Sequence, residues 1–414
     1  MFLRRLCLLL VALLYLPLVL FAKVSSGLDV FFDTKRHLRL QGKKVGLITN
    51  HTAIDKNYCS AYERFLSESK GLYRLAAIFS PEHGLNGNVW AEKPIETIEI
   101  KSIPIHSLYG KTRRPTKTML KNIDVLIFDM QEIGSRSYTY LTTLFYCMEE
   151  AAKEHIPLIV LDRPNPINGI TIDGPMLENK WRSYIGYVNV PYCHGMTVGE
   201  IANFFNQEYQ IKCDLEIVEM KGWKRDMDFS KTELSWIPTS PNIPEPDTPY
   251  YYSSTGLLGA MSIVSIGVGY TMPFKIVGAP WIKGEPFAQA LNAQKLKGVR
   301  FIPFHFTPFY GLYKAERCEG VYIKITDKKK YKPLTVQFLL MGMLKSLYPD
   351  EFNKRFKQFS EPAKKIFCQA NGTDKILLLL TQEKYPAWKL IEFDKEKRKQ
   401  FAEKRKKYLI KSYE

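Results

Sequence analysis

Three short apolar stretches lie in the first half of the sequence: Leu75-Ala-Ala-Ile-Phe79, Val125-Leu-Ile-Phe128 and Leu158-Ile-Val-Leu161. Each stretch is continuously apolar instead of alternating, which is typical of strands buried on both faces of a parallel sheet. Segments with the periodicity of amphipathic helices separate them. The sequence therefore predicts an α/β fold, with a Rossmann-like parallel-sheet layer followed by a smaller α+β domain.

Acidic residues follow all three stretches. Glu82 comes shortly after the first, Asp129 and Glu132 follow the second, and Asp162 follows the third. Because open α/β sheets bind ligands outside the carboxyl ends of their strands, we expect these side chains to line one polar, acidic cleft.

The chain of 414 residues, 45% of them hydrophobic, is long enough for two domains. Residues 1–26 combine a basic start with a short apolar run, which predicts a signal peptide or an amino-terminal anchor. We therefore expect an exported protein, periplasmic or extracellular, with anchoring through an uncleaved segment as the alternative. A proline-dense stretch ending at Pro249 predicts a domain junction. The predicted domains are a Rossmann-like catalytic domain at 27–248 and an α+β domain at 249–414.

Charge and cysteine spacing limit the partners. The formal net charge is +17, and many of the positive charges lie in a predicted helix at residues 395–410. A solvated helix face accounts for them, and the alternative is attraction to an anionic wall or membrane surface. No nucleic-acid-binding module is recognisable, so we expect no nucleic acid partner. The cysteines are spaced neither as metal ligands nor as a disulfide scaffold, so we expect no metal site and at most one disulfide.

The sequence lacks the common phosphate-binding and nucleophile motifs. The first predicted strand, Lys44–Thr49, ends in Asn50-His-Thr52 where a dinucleotide-binding protein would carry a glycine-rich turn. A P-loop and a Gly-x-Ser-x-Gly elbow are also missing. Acid–base chemistry by carboxylates and histidine is therefore favoured, and a nucleotide-dependent sugar transferase is a weaker alternative.

The segment Ser80-Pro-Glu82-His83-Gly84 contains the strongest catalytic candidate. Pro81 restricts the approach to Glu82, and Gly84 permits a tight turn after it. A partly desolvated carboxyl group at such a turn suits general acid catalysis. The alternative is that Glu82 caps a helix and His83 is a surface residue.

Four further segments offer polar groups suited to a polyhydroxylated ligand. The candidate residues are Gln131, Glu132, Arg136, Tyr138 and Tyr140, then Asp162, Arg163 and Asn165, and finally His194, Ser240 and Asn242. Amide, guanidinium and phenol groups can hydrogen-bond a sugar, and aromatic rings can stack on it. The alternatives are structural: a capped helix with Arg136 in an ion pair, an Asx-type turn with an Asp–Arg pair, a buried structural histidine, and an interdomain turn.

Taken together, these motifs resemble the exo-β-N-acetylmuramidase family, the NamZ-like peptidoglycan hexosaminidases, over nearly the whole chain after residue 26. The segments that carry the resemblance are Gly46-Leu-Ile-Thr-Asn50-His-Thr52, Ser80-Pro-Glu82-His83-Gly84, the stretch from Phe128 to Tyr140, Asp162-Arg163-Pro-Asn165-Pro166-Ile-Asn168-Gly169, His194-Gly-Met-Thr197-Val-Gly-Glu200, Ser240-Pro-Asn242-Ile-Pro244, Ile276-Val-Gly-Ala-Pro-Trp281 and Gly298-Val-Arg-Phe301.

The resemblance implies an exported two-domain enzyme without a cofactor. It would remove terminal N-acetylmuramic acid from the non-reducing ends of peptidoglycan fragments. By the same resemblance Glu82 would be the catalytic acid/base, completed by His83 and Glu132. The contacts to the sugar or its lactyl group that the resemblance implies are Asn50, Asp162, Arg163 and Asn165. We expect the other candidates to bind the substrate as well: Asp129, Gln131, Arg136, Tyr138, Tyr140, His194, Ser240 and Asn242.

This chain departs from the family pattern at two places. Glu132 stands where the family tends to carry aspartate. In the loop from Ala260 to Met272, acidic and arginine positions of the family are occupied by Ala260, Ile266, Val268 and Met272. These changes leave open a second function, a peptidoglycan-fragment-binding protein with weakened or lost catalysis.

Overall fold

The computed structural model describes residues 23–89, 98–100 and 102–414. The predicted signal peptide or anchor, residues 1–26, therefore lies almost entirely outside the described residues. Among the helices of the described ranges, none is both long and apolar enough to cross a membrane.

Seven strands form the main sheet, in the order β3-β4-β2-β1-β5-β6-β7. All neighbouring strands are parallel except β3, which runs antiparallel to β4. The strands are β1 Lys44–Thr49, β2 Arg74–Ser80, β3 Ile98–Ile100, β4 Ile103–Ser107, β5 Val125–Asp129, β6 Leu158–Leu161 and β7 Leu215–Val218. This arrangement confirms the predicted Rossmann-like layer.

The three apolar stretches form β2, β5 and β6, as predicted. Every residue of β5 and β6 is buried, because helices or loops cover both faces of the sheet. With β1 they form four adjacent strands, and Thr49 at the end of β1 pairs with Asp129 at the end of β5. The carboxyl ends of these strands therefore lie along one edge.

Helices alternate with the strands and then dominate the carboxyl-terminal part. They are α1 Gly27–Asp33, α2 Ala61–Ser69, α3 Lys117–Leu120, α4 Thr139–Lys153, α5 Val198–Glu208, α6 Thr248–Ala260, α7 Gly284–Ala293, α8 Pro333–Leu347, α9 Pro349–Phe356, α10 Glu361–Asn371, α11 Lys375–Gln382, α12 Ala387–Glu392 and α13 Lys395–Arg405. Thr197 caps α5 in a capping box with Glu200, as the Thr-x-x-Glu spacing indicates.

The carboxyl-terminal part also contains an antiparallel sheet in the order β8-β10-β9. Its strands are β8 Ile276–Ala279, β9 Val299–Phe306 and β10 Cys318–Ile325. This smaller sheet with its helices confirms the predicted α+β character of the second part.

The largest hydrophobic cluster contains residues from both sides of the predicted junction at 248/249. Phe79 and Leu144 belong to it together with Ile276 and Leu339. The two parts therefore share one continuous core, which holds loops from each part against the other. The six cysteines of the described ranges are all free thiols, so the single disulfide left open by the sequence does not form among them.

Candidate functional site

A cleft of about 680 Å³ lies between the carboxyl edge of the main sheet and the second part of the chain. Its described lining residues are Glu82, His83, Tyr109, Arg113, Ser137, Tyr138, Thr139, Ser183, Tyr184, Ile185, Ser240, Pro241, Asn242, Ile243, Tyr252, Phe274, Ile366 and Gln369. Residues that follow β2, β4 and β5 supply one wall, and residues of α6 and α10 close the other side.

Glu82 is the only carboxyl group among these described lining residues. It is 7% exposed, and its Oε2 accepts a hydrogen bond of 2.6 Å from the hydroxyl group of Thr139, the first residue of α4. The turn after Glu82 places both His83 and Gly84 at positive φ, 70° and 76°. A glycine takes this conformation readily, and the turn aims the Glu82 side chain into the cleft.

His83 lies beside Glu82 with one ring nitrogen already bonded. Its Nδ1 is 2.7 Å from the carbonyl oxygen of Val89. Because a carbonyl oxygen only accepts, Nδ1 carries the proton of the neutral ring. The other nitrogen, Nε2, is therefore the acceptor that His83 can offer to a water molecule or a ligand.

Tyrosines form much of the remaining surface. Tyr138 donates a hydrogen bond of 2.9 Å to Thr239, and its ring centroid lies 6.3 Å from that of Tyr252. Tyr109 and Tyr184 stand together with ring centroids 5.7 Å apart. Burial raises the pKa of Tyr184, and the negative charge of Glu82 raises it further. Neutral phenols and aromatic rings that line a cleft suit contact with a sugar.

The structure brings five of the predicted residues to the cleft, namely Glu82, His83, Tyr138, Ser240 and Asn242. The other ten do not line it, and all ten are buried: Asn50, Asp129, Gln131, Glu132, Arg136, Tyr140, Asp162, Arg163, Asn165 and His194. Their hydrogen bonds are made inside the protein, as the following contacts show.

Asp129 and Arg163 form a buried ion pair with each other. The Nε and NH2 groups of Arg163 lie 2.5 and 3.0 Å from the two carboxylate oxygens of Asp129. The sequence is compatible with an Asp–Arg pair within one turn, but the partner of Arg163 comes from the end of the neighbouring strand β5. Both groups are thus occupied by a planar two-bond contact.

Asp162 anchors the start of helix α5. Its carboxylate accepts hydrogen bonds from the Thr197 hydroxyl, the Gly199 N–H and the Tyr413 hydroxyl at 2.7–2.8 Å. Burial raises the pKa of Asp162 to about 7. Asn165 shapes the turn after it, because its side-chain amide donates to the carbonyl oxygen of Met196.

Glu132 is enclosed beneath the cleft. Its Oε2 accepts a hydrogen bond from the N–H of Gly134, whereas Oε1 is buried without a partner in the described protein. Burial raises the pKa of Glu132 to about 8, so the side chain holds a proton at neutral pH. The side-chain amide of the neighbouring Gln131 donates hydrogen bonds to the carbonyl oxygens of Glu132 and Pro164.

Arg136 holds the two parts of the chain together. Its guanidinium group donates to four backbone carbonyl groups, those of Pro175, Val190, Ala370 and Asn371. The structural alternative for Arg136 was an ion pair, but the actual partners are uncharged carbonyl oxygens, two of them at the end of α10.

The remaining buried candidates also make internal contacts. His194 accepts a hydrogen bond at Nδ1 from the Met196 N–H, and burial together with nearby arginines lowers the pKa of His194 to about 3. Asn50 accepts from Thr52 in a tight turn, and Tyr140 donates to the carbonyl oxygen of Thr239. These contacts shape the turns around the cleft.

Several lining residues were not among the sequence candidates. Thr139 lies in the stretch from Phe128 to Tyr140, but the sequence does not indicate its hydrogen bond to Glu82. Tyr109 and Arg113 follow β4, the strand next to β2, so the parallel-strand argument would have reached them. Tyr252 and Gln369 come from distant helices, and nothing in the local sequence indicates their place.

The altered loop at 260–272 does not supply lining residues. Ile266 is buried in the main hydrophobic cluster, where its side chain occupies the space beside Gly259. Of the residues just outside the loop, Tyr252 and Phe274 reach the cleft. In this chain the loop is therefore an apolar packing element.

The basic carboxyl-terminal helix is partly neutralised by acids. Lys404 and Lys407 pair with Glu208, and Lys399 pairs with Glu396 within the helix. These pairs reduce the excess charge that the helix presents to solvent. The predicted attraction to an anionic surface stays a prediction.

One group of side chains in the described ranges has metal-ligand spacing. Atoms of Glu285, His305 and Glu319 lie within 4.8 Å of one another. None of the three lines the cleft, and two are exposed to solvent.

Comparisons with known proteins agree with the fold. The models of the amino-terminal and carboxyl-terminal parts of "Exo-beta-N-acetylmuramidase NamZ" match residues 45–247 and 250–410. The "Peptidoglycan beta-N-acetylmuramidase NamZ" of Bacillus subtilis (strain 168) is 41% identical over 333 residues, which are 80% of this chain and 79% of the relative.

Two solved structures of DUF1343 family proteins from Bacteroides fragilis NCTC 9343 have the same fold. The match to the first has a TM-score of 0.85 at 38% identity and covers 92% of this chain and 98% of the solved chain. The second has a TM-score of 0.72 at 26% identity, with 94% and 99% coverage.

Proposed function

This chain belongs to the exo-β-N-acetylmuramidase NamZ family of glycoside hydrolases, and from that premise we propose that it removes terminal N-acetylmuramic acid from peptidoglycan fragments. The attacked ends are the non-reducing ones. The observation that carries the proposal is Glu82, the single carboxyl group among the described residues that line the cleft. The Thr139 hydroxyl group donates a hydrogen bond to it, and tyrosine rings form much of the surrounding surface.

Glu82 acts as general acid and then as general base. In its protonated form it donates a proton to the glycosidic oxygen as the bond to the anomeric carbon breaks. The electron pair of that bond stays on the leaving oxygen, so the anomeric carbon becomes oxocarbenium-like. A water molecule then adds to this carbon and gives up one proton to the Glu82 carboxylate, which restores the acid. His83 offers Nε2 as an acceptor beside this water, because Nδ1 is bonded to Val89.

Glu82→Gln tests this assignment on two kinds of substrate. On a peptidoglycan disaccharide, whose leaving group is a sugar, we expect kcat to fall about 10²–10⁴-fold, since the leaving oxygen needs a proton. A nitrophenyl N-acetylmuramide has a leaving group that departs without one, so its release should fall less. The matched control is Glu396→Gln, because Glu396 is an exposed carboxylate on α13. Equal turnover of both substrates by wild type and Glu82→Gln would show that Glu82 is not the acid.

The second candidate function is fragment binding without turnover, which the apolar loop around Ile266 favours. Calorimetric titration with the disaccharide, paired with a product assay on the same sample, separates the two functions. Binding with no released sugar after prolonged incubation would favour the binding protein, and measurable turnover excludes it.

We also propose that the protein is exported, because residues 1–26 have the pattern of a signal peptide or anchor. Cell fractionation of the full chain and of a chain lacking residues 1–26 tests this. The full chain should be found outside the cytoplasm and the shortened chain inside it. Equal distribution of the two would contradict export.

A further inference from the structure

Arg113 is the only lysine or arginine among the described residues that line the cleft. It lies in the loop after β4, and its Cζ stands 4.2 Å from the ring centroid of Tyr184 and 5.1 Å from that of Tyr109. Cation–π contact with two rings restrains the guanidinium group while leaving its N–H donors available.

The other arginines near the sheet edge are already occupied. Arg163 is paired with Asp129, and the guanidinium of Arg136 is spent on carbonyl oxygens. Even the adjacent Arg114 is bound, to Glu149 and Glu150. Arg113 differs from all of these because its guanidinium group is exposed and makes neither an ion pair nor a hydrogen bond with a residue of the described ranges.

Arg113 and Glu82 line the same cleft, and the Tyr184 ring that Arg113 contacts also lines it. The charges of both act on the phenol of Tyr184, Glu82 raising and Arg113 lowering its pKa after the larger effect of burial. A sugar with its glycosidic oxygen at Glu82 therefore shares the cleft with the Arg113 cation.

We propose that Arg113 binds the carboxylate of the 3-O-lactyl group of the terminal sugar, and so makes the cleft select a muramic acid over a glucosamine. The proposal rests on the function proposed above and names the residue that sets its specificity. The planar guanidinium group of Arg113 matches a carboxylate with two parallel hydrogen bonds. This ion pair would lie beside the rings of Tyr109 and Tyr184, which lower the local dielectric constant. The lactyl contact that the resemblance implied for Arg163 is thus assigned to a residue whose guanidinium is accessible.

The test compares a nitrophenyl N-acetylmuramide with its lactyl methyl ester, which replaces the negative charge by one added methyl group. Wild type should prefer the free acid by about tenfold or more in kcat/KM. Arg113→Ala should lose that factor on the free acid and leave the ester unchanged, and Arg113→Lys should recover part of it. The control is Lys111→Ala, which removes an exposed charge of the same loop. Equal loss on both substrates, or no loss, would overturn the proposal.

Binding measurements keep the two proposals separate. We expect wild type to bind N-acetylmuramic acid more tightly than N-acetylglucosamine, and this preference to vanish in Arg113→Ala. If neither chromogenic substrate is turned over, the proposed hydrolase function is wrong. The binding preference of wild type and Arg113→Ala then still tests the assignment of Arg113. If the preference persists in Arg113→Ala, the assignment of Arg113 is wrong whatever the activity.

Discussion

The hydroxyl group of Thr139 donates a hydrogen bond of 2.6 Å to Oε2 of Glu82. The two residues are 57 positions apart, and the contact joins the turn after β2 to the first residue of α4. One carboxylate oxygen of Glu82 therefore has a defined direction relative to the sheet edge. Such orientation is what a general acid requires in order to meet the leaving oxygen.

Replacing Thr139 by valine keeps its shape and removes the donor. We expect kcat on the disaccharide to fall about tenfold to a hundredfold, because a hydrogen bond to a charged group contributes about 1.5–3 kcal/mol. Thr139→Ser retains the hydroxyl group and should stay close to wild type. Steady-state kinetics measures both, and wild-type kcat in Thr139→Val would refute the orienting role.

Glu132 should make the stability of the protein depend on pH. Its folded-state pKa of about 8 lies above the value of about 4.3 in an unfolded chain. The folded state thus binds more protons between these values, and the free energy of unfolding falls as the pH rises through this window.

Glu132→Gln removes this titration and keeps an acceptor for the Gly134 N–H. The decrease in the free energy of unfolding between pH 5 and pH 8, measured with urea, should be smaller in the variant by roughly 3 kcal/mol, since each pKa unit corresponds to about 1.4 kcal/mol. The pKa of Asp162 is also raised, but Asp162 is present in both proteins, so its titration cancels in the comparison apart from its charge interaction with Glu132. Identical pH dependence of the two proteins would contradict the expectation.

Arg136 should stabilise the fold more than it assists binding. Arg136→Met leaves four buried carbonyl groups without their donor, so we expect the free energy of unfolding to fall by about 3 kcal/mol or more. The control is Arg39→Met, because the Arg39 side chain is 57% exposed and its pair with Glu216 should contribute at most about 1 kcal/mol. A loss below that of the control, measured by urea unfolding, would contradict this role.

The fold could be predicted from the sequence because its main signals are local. Continuous apolar stretches suffice to indicate buried strands, and the Thr197 capping box gives the start of α5. Periodicity alone extends helix α2 back to residue 57, but the helix begins at Ala61. The carboxylate of Asp55 binds the N–H groups of Asn57 and Cys59 in a turn, and Ser60 caps the helix instead. Competition between a side-chain turn and a helix is decided by contacts that periodicity does not show.

The site was predicted only in part, for a related reason. Strand ends indicate which residues reach one edge, and this placed Glu82 correctly at the cleft. They do not indicate which acids are bonded inside the protein. Asp129 and Asp162 are therefore predicted to line the cleft, whereas Arg163 binds Asp129 and the start of α5 binds Asp162. Arg113 and Tyr252 depend on long-range packing, which the local sequence does not show.

Gly87 should be required for the position of the catalytic turn. Its φ is +69°, and an added Cβ would lie 2.0–2.4 Å from three atoms of the His51 ring. That ring is held by a contact of 2.7 Å between its Nε2 and the carbonyl oxygen of Pro238, so it cannot easily move away. Gly87→Ala must therefore shift the segment that follows Glu82.

We expect Gly87→Ala to lower kcat/KM by at least about tenfold, because small displacements of a catalytic group are costly. Gly71→Ala is the matched control. Gly71 has a similar φ of +81°, but nothing lies within 4 Å of its added Cβ. Gly71→Ala should lower the free energy of unfolding by about 1 kcal/mol, the cost of an alanine at positive φ, and leave kcat/KM unchanged. If both variants lose stability equally and keep wild-type kcat/KM, the contact with His51 does not position Glu82.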